Sequence, residues 1–72
     1  MADKPRYWHG ETTCNLCKIK KPTELFDARM INGHWALLCR PCFKANTMGR
    51  IGPGSGQHYV RTDAGLYVKV IR

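Results

Sequence analysis

Cys14-Asn15-Leu16-Cys17 opens a stretch of chain that Cys39-Arg40-Pro41-Cys42 closes, and these two pairs hold all four cysteines of the protein. Two thiols two residues apart grip a metal ion from one side. The segment between the pairs must then fold back to complete a tetrahedron. Four sulfur ligands favour Zn(II), with an iron–sulfur cluster or a bare iron site as the rarer alternatives. Cys14, Cys17, Cys39 and Cys42 are therefore the expected ligands of one structural zinc ion.

The size of the chain makes such a staple necessary. Seventy-two residues form one domain. Ordering each backbone residue costs about 1–2 kcal/mol, which a core this small barely offsets. A structural zinc ion contributes on the order of 10 kcal/mol of apparent binding energy. Disulfides are the competing use of four cysteines, with three possible connectivities. Met1 to Gly10 carry Lys4 and Arg6 without an apolar run, so no secretory signal is expected. No stretch approaches the ~20 apolar residues of a membrane span. A reducing, cytoplasmic setting is the expectation, and there paired C-x2-C motifs bind metal. A thioredoxin-type redox motif would need a βαβ setting, which neither pair has.

Twelve Lys and Arg stand against five Asp and Glu, a formal charge of +7. Four thiolates with one Zn(II) shift this by −4 + 2, to about +5. The acids (Asp3, Glu11, Glu24, Asp27, Asp63) are scattered. An excess of this kind on a small body favours polyanions, either nucleic acid or an acidic protein surface, although solubility alone also accounts for it.

Residues 1–12 read as a flexible arm, punctuated by Pro5 and Gly10, with Trp8 able to fold back onto the metal core. Residues 13–49 form the metal-binding core. Asn32-Gly33 is a preferred pair for a two-residue hairpin turn. Pairing outward from it sets Met30 opposite Trp35, Ala28 opposite Leu37 and Phe26 opposite Cys39, all on one face. A short helix is expected from Pro41 to Met48, with Cys42 in its first turn, Phe43 in the core and Gly49 as its stop.

Residues 50–57 make a glycine-rich loop beside Arg50, read equally as a tether or as an anion- or partner-binding loop. It lacks the lysine and the strand-to-helix setting of a P-loop, so nucleotide hydrolysis is not expected. Residues 58–72 read as a second hairpin around Asp63-Ala64-Gly65, pairing Thr62 with Leu66, Val60 with Val68 and His58 with Val70. That face is expected to pack on the metal core. The opposite face, with Tyr59, Arg61, Tyr67 and Lys69, interleaves aromatic rings and cations, a pattern that stacks bases and pairs phosphates.

Knuckle, hairpin and a C-x2-C that opens a helix together look like a treble-clef zinc finger. A zinc ribbon, with both knuckles in hairpins, is the near alternative. The expected class is thus a small zinc-stapled α+β fold with a C-terminal β-hairpin. Residues 14–59 also resemble small phage-encoded zinc-finger proteins. The matching positions are Cys14, Cys17, Gly33-His34-Trp35-Ala36, Cys39, Cys42 and Gly52-Pro53-Gly54-Ser55-Gly56-Gln57 followed by Tyr59. The resemblance implies a phage protein acting inside a bacterium.

Two functions follow. The first is a non-enzymatic, zinc-stabilised module that binds nucleic acid through its phosphates. Arg50, Tyr59, Arg61, Tyr67 and Lys69 are its candidate contacts, and Lys18, Lys20, Lys21, Arg40 and Lys44 form a second basic group. The second is a protein-interaction module that docks on a host enzyme, such as the transcription machinery, or on a virion component, using the free edge of the C-terminal hairpin. Catalysis is not expected, because four cysteines saturate zinc and leave no position for a catalytic water. His9, His34 and His58 stand apart in sequence, without the motif of a treble-clef nuclease around His34. The oligomeric state is open.

Overall fold

The computed structural model describes residues 6–70. Four strands and one helix follow each other as β1 (Glu24–Arg29), β2 (Trp35–Leu38), α1 (Arg40–Asn46), β3 (Gly56–Arg61) and β4 (Tyr67–Lys69). The strands form one antiparallel sheet in the order β2-β1-β3-β4. Both hairpins thus belong to a single sheet. The second does not dock on the metal core as a separate unit: β3 hydrogen-bonds along β1, pairing Leu25 with Tyr59 and Phe26 with His58.

β1 is central and is covered on both sides. Phe26 and Ala28 point into one cluster with Ala36, Leu38, Phe43, Cys14 and Cys39. Leu25 points into the other, with Leu37, Tyr59 and Tyr67, and Trp8 packs against it. A run that reads ELFDAR suits this position, because alternate residues supply each face.

The first hairpin departs from its expected register. Arg29 pairs with Trp35, Ala28 with Ala36, Asp27 with Leu37 and Phe26 with Leu38. The loop has three residues rather than two. Met30 N–H donates to His34 O (2.8 Å), Gly33 N–H donates to Met30 O (2.9 Å), and Gly33 sits at φ +89°. This is a turn followed by a left-handed glycine, a geometry that adds one residue to the loop. Asn32 Oδ1 accepts from His34 N–H (3.0 Å) and holds the turn. A slip of one residue sends every β2 side chain to the other face. Leu37 therefore joins the second cluster, Ala36 and Leu38 take the metal side, and Trp35 is left 53% exposed.

In the second hairpin the expected register is the observed one, with Val60 opposite Val68, and Thr62 and Leu66 closing the loop around Asp63-Ala64-Gly65. His58, from the face expected on the metal core, is buried there against Phe26, but most of the burial falls on the opposite face. Tyr59 and Tyr67 are buried, whereas Val60 and Leu66 are exposed. The burial of the tyrosines follows from the pairing with β1, which puts Tyr59 on the face of Leu25.

The helix begins at Arg40 and stops at Asn46, two residues before the expected end at Met48. The Thr47 hydroxyl donates to Phe43 O (2.7 Å) and Asn46 Nδ2 donates to Cys42 O (2.9 Å), so side chains satisfy the last carbonyls. Residues 6–8 run antiparallel to β4: Trp8 N–H donates to Tyr67 O and Lys69 N–H donates to Arg6 O. This part of the arm therefore occupies the outer edge of β4, the edge expected to be free for a partner strand. Trp8 packs on Tyr59, on the sheet face away from the cysteines. The first five residues of the arm, and Ile71 and Arg72 of the expected second hairpin, lie outside the described residues.

Candidate metal centre and basic surface

The four cysteines come from three elements. Cys14 and Cys17 lie on a tight turn in which Lys18 N–H donates to Cys14 O (3.1 Å) and Cys14 N–H donates to Ile19 O (3.0 Å). Lys18 turns the chain at φ +66°, a left-handed conformation uncommon for a residue with a Cβ. Cys39 follows β2 and precedes the helix, whose first turn carries Cys42. Asn15 fastens the knuckle to the sheet. Its N–H donates to Leu37 O and its Oδ1 accepts from Leu37 N–H, both at 2.8 Å. Asn15 thus continues the ladder along the open edge of β2, a role that the sequence did not signal.

All four Sγ atoms lie within 4.8 Å of one another, and Cys17 and Cys39 are 3.5 Å apart. A tetrahedron with metal–sulfur bonds of about 2.3 Å has sulfur–sulfur edges of roughly 3.8 Å, which the cluster fits. The sulfurs are free thiols, spaced well beyond the ~2.05 Å of a disulfide bond. These residues could hold one metal ion.

Their electrostatics point the same way. Burial works against ionising Cys14, yet backbone N–H groups of Cys17, Cys39 and Leu16 aim at its sulfur and bring the thiol down to about 6. Cys42 is pushed up to about 12, first by burial and then by the neighbouring sulfurs. Burial likewise raises Cys39. Four sulfurs in this space cannot all ionise unless a cation shares it.

Beside the cluster lies an ion pair that sequence reading missed. Arg40, expected to face a ligand, clasps Glu24 through Nε and NH2 at 2.5 and 2.6 Å. His58 Nε2 meets the same carboxylate at 2.6 Å, and its buried ring stacks on Phe26 at 4.3 Å. Phe26 in turn stacks on Phe43 at 4.1 Å. The Arg40 hydrogen bonds outweigh burial and, with His58, hold the Glu24 carboxyl down to about 2. Arg40 follows Cys39 directly, so this network fixes the entry to the helix.

The expected binding residues divide. Lys18, Lys20, Lys21, Lys44, Arg50 and Arg61 are exposed, and Lys69 is half-buried. Arg40 is committed to Glu24. Tyr59 and Tyr67 are core residues, with Tyr59 Oη donating to Gln57 (2.7 Å) and Tyr67 Oη donating to Pro22 O (2.6 Å), so neither offers an open ring to a base. Among the described residues the most open aromatic ring is that of Trp35, directly across from exposed Arg29. The glycine loop is a built turn: Ser55 N–H donates to Gly52 O, Gly52 and Gly56 exchange backbone hydrogen bonds, and Ser55 O accepts from Arg29 N–H. No helix among the described residues is long and apolar enough to cross a membrane. Compared with family models, curated proteins and solved structures, the chain matches none.

Proposed function

We propose that the protein is a non-enzymatic binding module, held together by one structural Zn(II) on Cys14, Cys17, Cys39 and Cys42, that binds nucleic acid through its phosphates. Knuckle, hairpin and a helix that opens on the second cysteine pair favour a treble-clef-like arrangement around that ion. Bound zinc would supply folding energy, and four thiolates would fill its tetrahedron.

One observation carries the binding reading. Nine of the ten described Lys and Arg residues are exposed, whereas of the described acids only Glu11 and Asp63 are. Glu24 is neutralised by Arg40, and Asp27 is half-buried with its carboxyl pushed up by burial. Outside that ion pair, eight exposed Lys and Arg stand against two exposed carboxylates among the described residues. Trp35 with Arg29 offers a ring and a cation to an unstacked base. Binding should weaken with salt, at a log–log slope near −0.9 per phosphate contacted on duplex DNA. Affinities for DNA and RNA oligonucleotides at several salt concentrations test this, and a flat salt response sinks it.

A second reading is a phage-encoded module that docks on an acidic surface of a host protein. It draws support from Leu16 and Ile19, which stand 44% and 50% exposed among the knuckle lysines. A stoichiometric protein partner that survives nuclease treatment during co-purification would favour it.

A further inference from the structure

We infer that the cleft between Lys21 and Arg61 is a phosphoryl-binding site, taking either free phosphate or the phosphate of a nucleic-acid backbone. The inference rests on the nucleic-acid reading only for the second of those sources. The cleft is open, about 550 Å³ in volume, and lined by Lys21, Thr23, Arg61, Thr62, Asp63 and Gly65. Three features of these residues suit a phosphoryl oxyanion.

Arg61 is held in place before any ligand arrives. Its guanidinium donates to the Lys21 carbonyl and also reaches the Tyr67 hydroxyl, which is itself fixed on Pro22 O. Its backbone N–H is tied to Thr23 O at 2.9 Å. A guanidinium has five N–H donors, so the anchor leaves others for a ligand at little further loss of side-chain freedom. Lys21 brings a second cation to the same cleft, from a residue in the left-handed region at φ +48°. Non-glycine residues rarely sit there, and such conformations concentrate at ligand-binding sites.

Hydroxyls complete the lining. Thr62 Oγ1 accepts from Leu66 N–H at 3.2 Å, which leaves its own O–H to donate. Thr23 is exposed just before β1. Asp63 opposes an anion from the turn, so the cleft carries two cations against one carboxylate. Removing that carboxylate should tighten binding, an effect opposite to the one expected from generic loss of structure.

The test is an amide-resolved NMR titration of the full, zinc-loaded chain with inorganic phosphate, with sodium chloride at matched ionic strength as control. Phosphate should shift the Thr23, Thr62 and Gly65 amides to saturation. Lys21→Ala, which keeps the carbonyl that anchors Arg61, should weaken binding about tenfold, the worth of one charge-assisted hydrogen bond. Asp63→Asn should tighten it several-fold. Shifts reproduced by chloride, or an affinity that neither variant changes, would overturn the site. A second titration, with a short oligothymidylate, separates the two readings. Saturation by phosphate without response to the oligonucleotide upholds the site and removes nucleic acid as its source, whereas an oligonucleotide that binds without moving these amides removes the site and leaves the broader reading standing.

Discussion

Gly56→Ala should be among the most damaging single methyl additions in this protein. Gly56 opens β3 opposite Ala28 at φ +151°, where a side chain is rarely tolerated. A Cβ there would lie 2.7 Å from Asp27 O and 2.8 Å from both Cα and Cβ of Ala28. Carbon contacts are comfortable at about 3.5–4.0 Å, so the overlap approaches an ångström. The obstructing atoms belong to the backbone of the central strand and cannot rotate away. The backbone conformation costs about 1–3 kcal/mol and the overpacking another 1–3, together about 2–6 kcal/mol. Gly54→Ala is the control, because Gly54 also has positive φ (+80°) but meets nothing within 4 Å. Its cost is about 1–2 kcal/mol, from backbone alone. Thermal and urea unfolding of the zinc-loaded variants, followed by circular dichroism, should separate them by about 2 kcal/mol, close to the difference between the centres of the two ranges. At roughly 4–8 °C per kcal/mol for a domain of this size, the midpoints should differ by about 8–16 °C. Equal losses would refute the close approach of β3 to β1.

Stripping the metal with a chelator should unfold the chain, since the proposed zinc ion would contribute on the order of 10 kcal/mol and a domain this size holds only about 5–10 in reserve. The near-ultraviolet signal of Trp8, on the far face of the sheet, should disappear with it, and its survival would show that the two faces fold independently. Asn15→Ala should cost about 1–3 kcal/mol by leaving the buried Leu37 N–H without its acceptor, while Asn15→Asp keeps most of that stability in the same unfolding assay. Lys18→Gly should stabilise by about 1 kcal/mol, because glycine accepts φ +66° without strain, and a lower midpoint would contradict the knuckle geometry. The Glu24 carboxyl, held at about 2 against an ordinary 4.5, contributes stability that is full above pH 4.5 and lost as pH falls toward 2. Its carboxyl carbon should therefore still report the ionised form at pH 4 by NMR, and a midpoint near 4.5 would dissolve the proposed clasp.

Much of the metal side of this fold was legible, because local chemistry specifies it. Four cysteines at matched spacing converge on one cluster. Pro41 marks the helix start within a residue, and Asp63-Ala64-Gly65 sets the second hairpin in its register. Asn32-Gly33 misled because both a two-residue and a three-residue loop accept it. The choice is made outside the turn, by Leu38 and Ala36 filling the space under Phe43 and by Asn15 clasping Leu37. The burial of Tyr59 and Tyr67 was illegible for a related reason. Either face of that hairpin is apolar enough to be buried, and the decision lies in its long-range pairing with β1. Periodicity reports that a strand has two faces, but not what covers each one.

That two-sided sheet also bears on where binding can occur. The cysteine cluster, the helix and the stacked Phe26, Phe43 and His58 occupy one face, and the Glu24 clasp closes its edge. On the other face Trp8 covers Tyr59, residues 6–8 seal the rim of β4, and Asn15 seals part of the rim of β2. Strand addition, the most general way for a small sheet to recruit a partner, is thus blocked along β4 by the chain itself. What stays accessible on the second face is its two ends: Trp35 with Arg29 at one, Arg61 with Lys21 at the other. Arg29, at the end of β1, and Thr23, just before its start and the partner of Arg61, are six residues apart, roughly 20 Å at strand spacing. A folded partner would need a broad contact across the ridge made by Trp8, whereas a flexible, charged strand can touch two separated ends without it. For the nucleic-acid ligand proposed above, the distribution of open surface, more than the total charge, argues for a single strand.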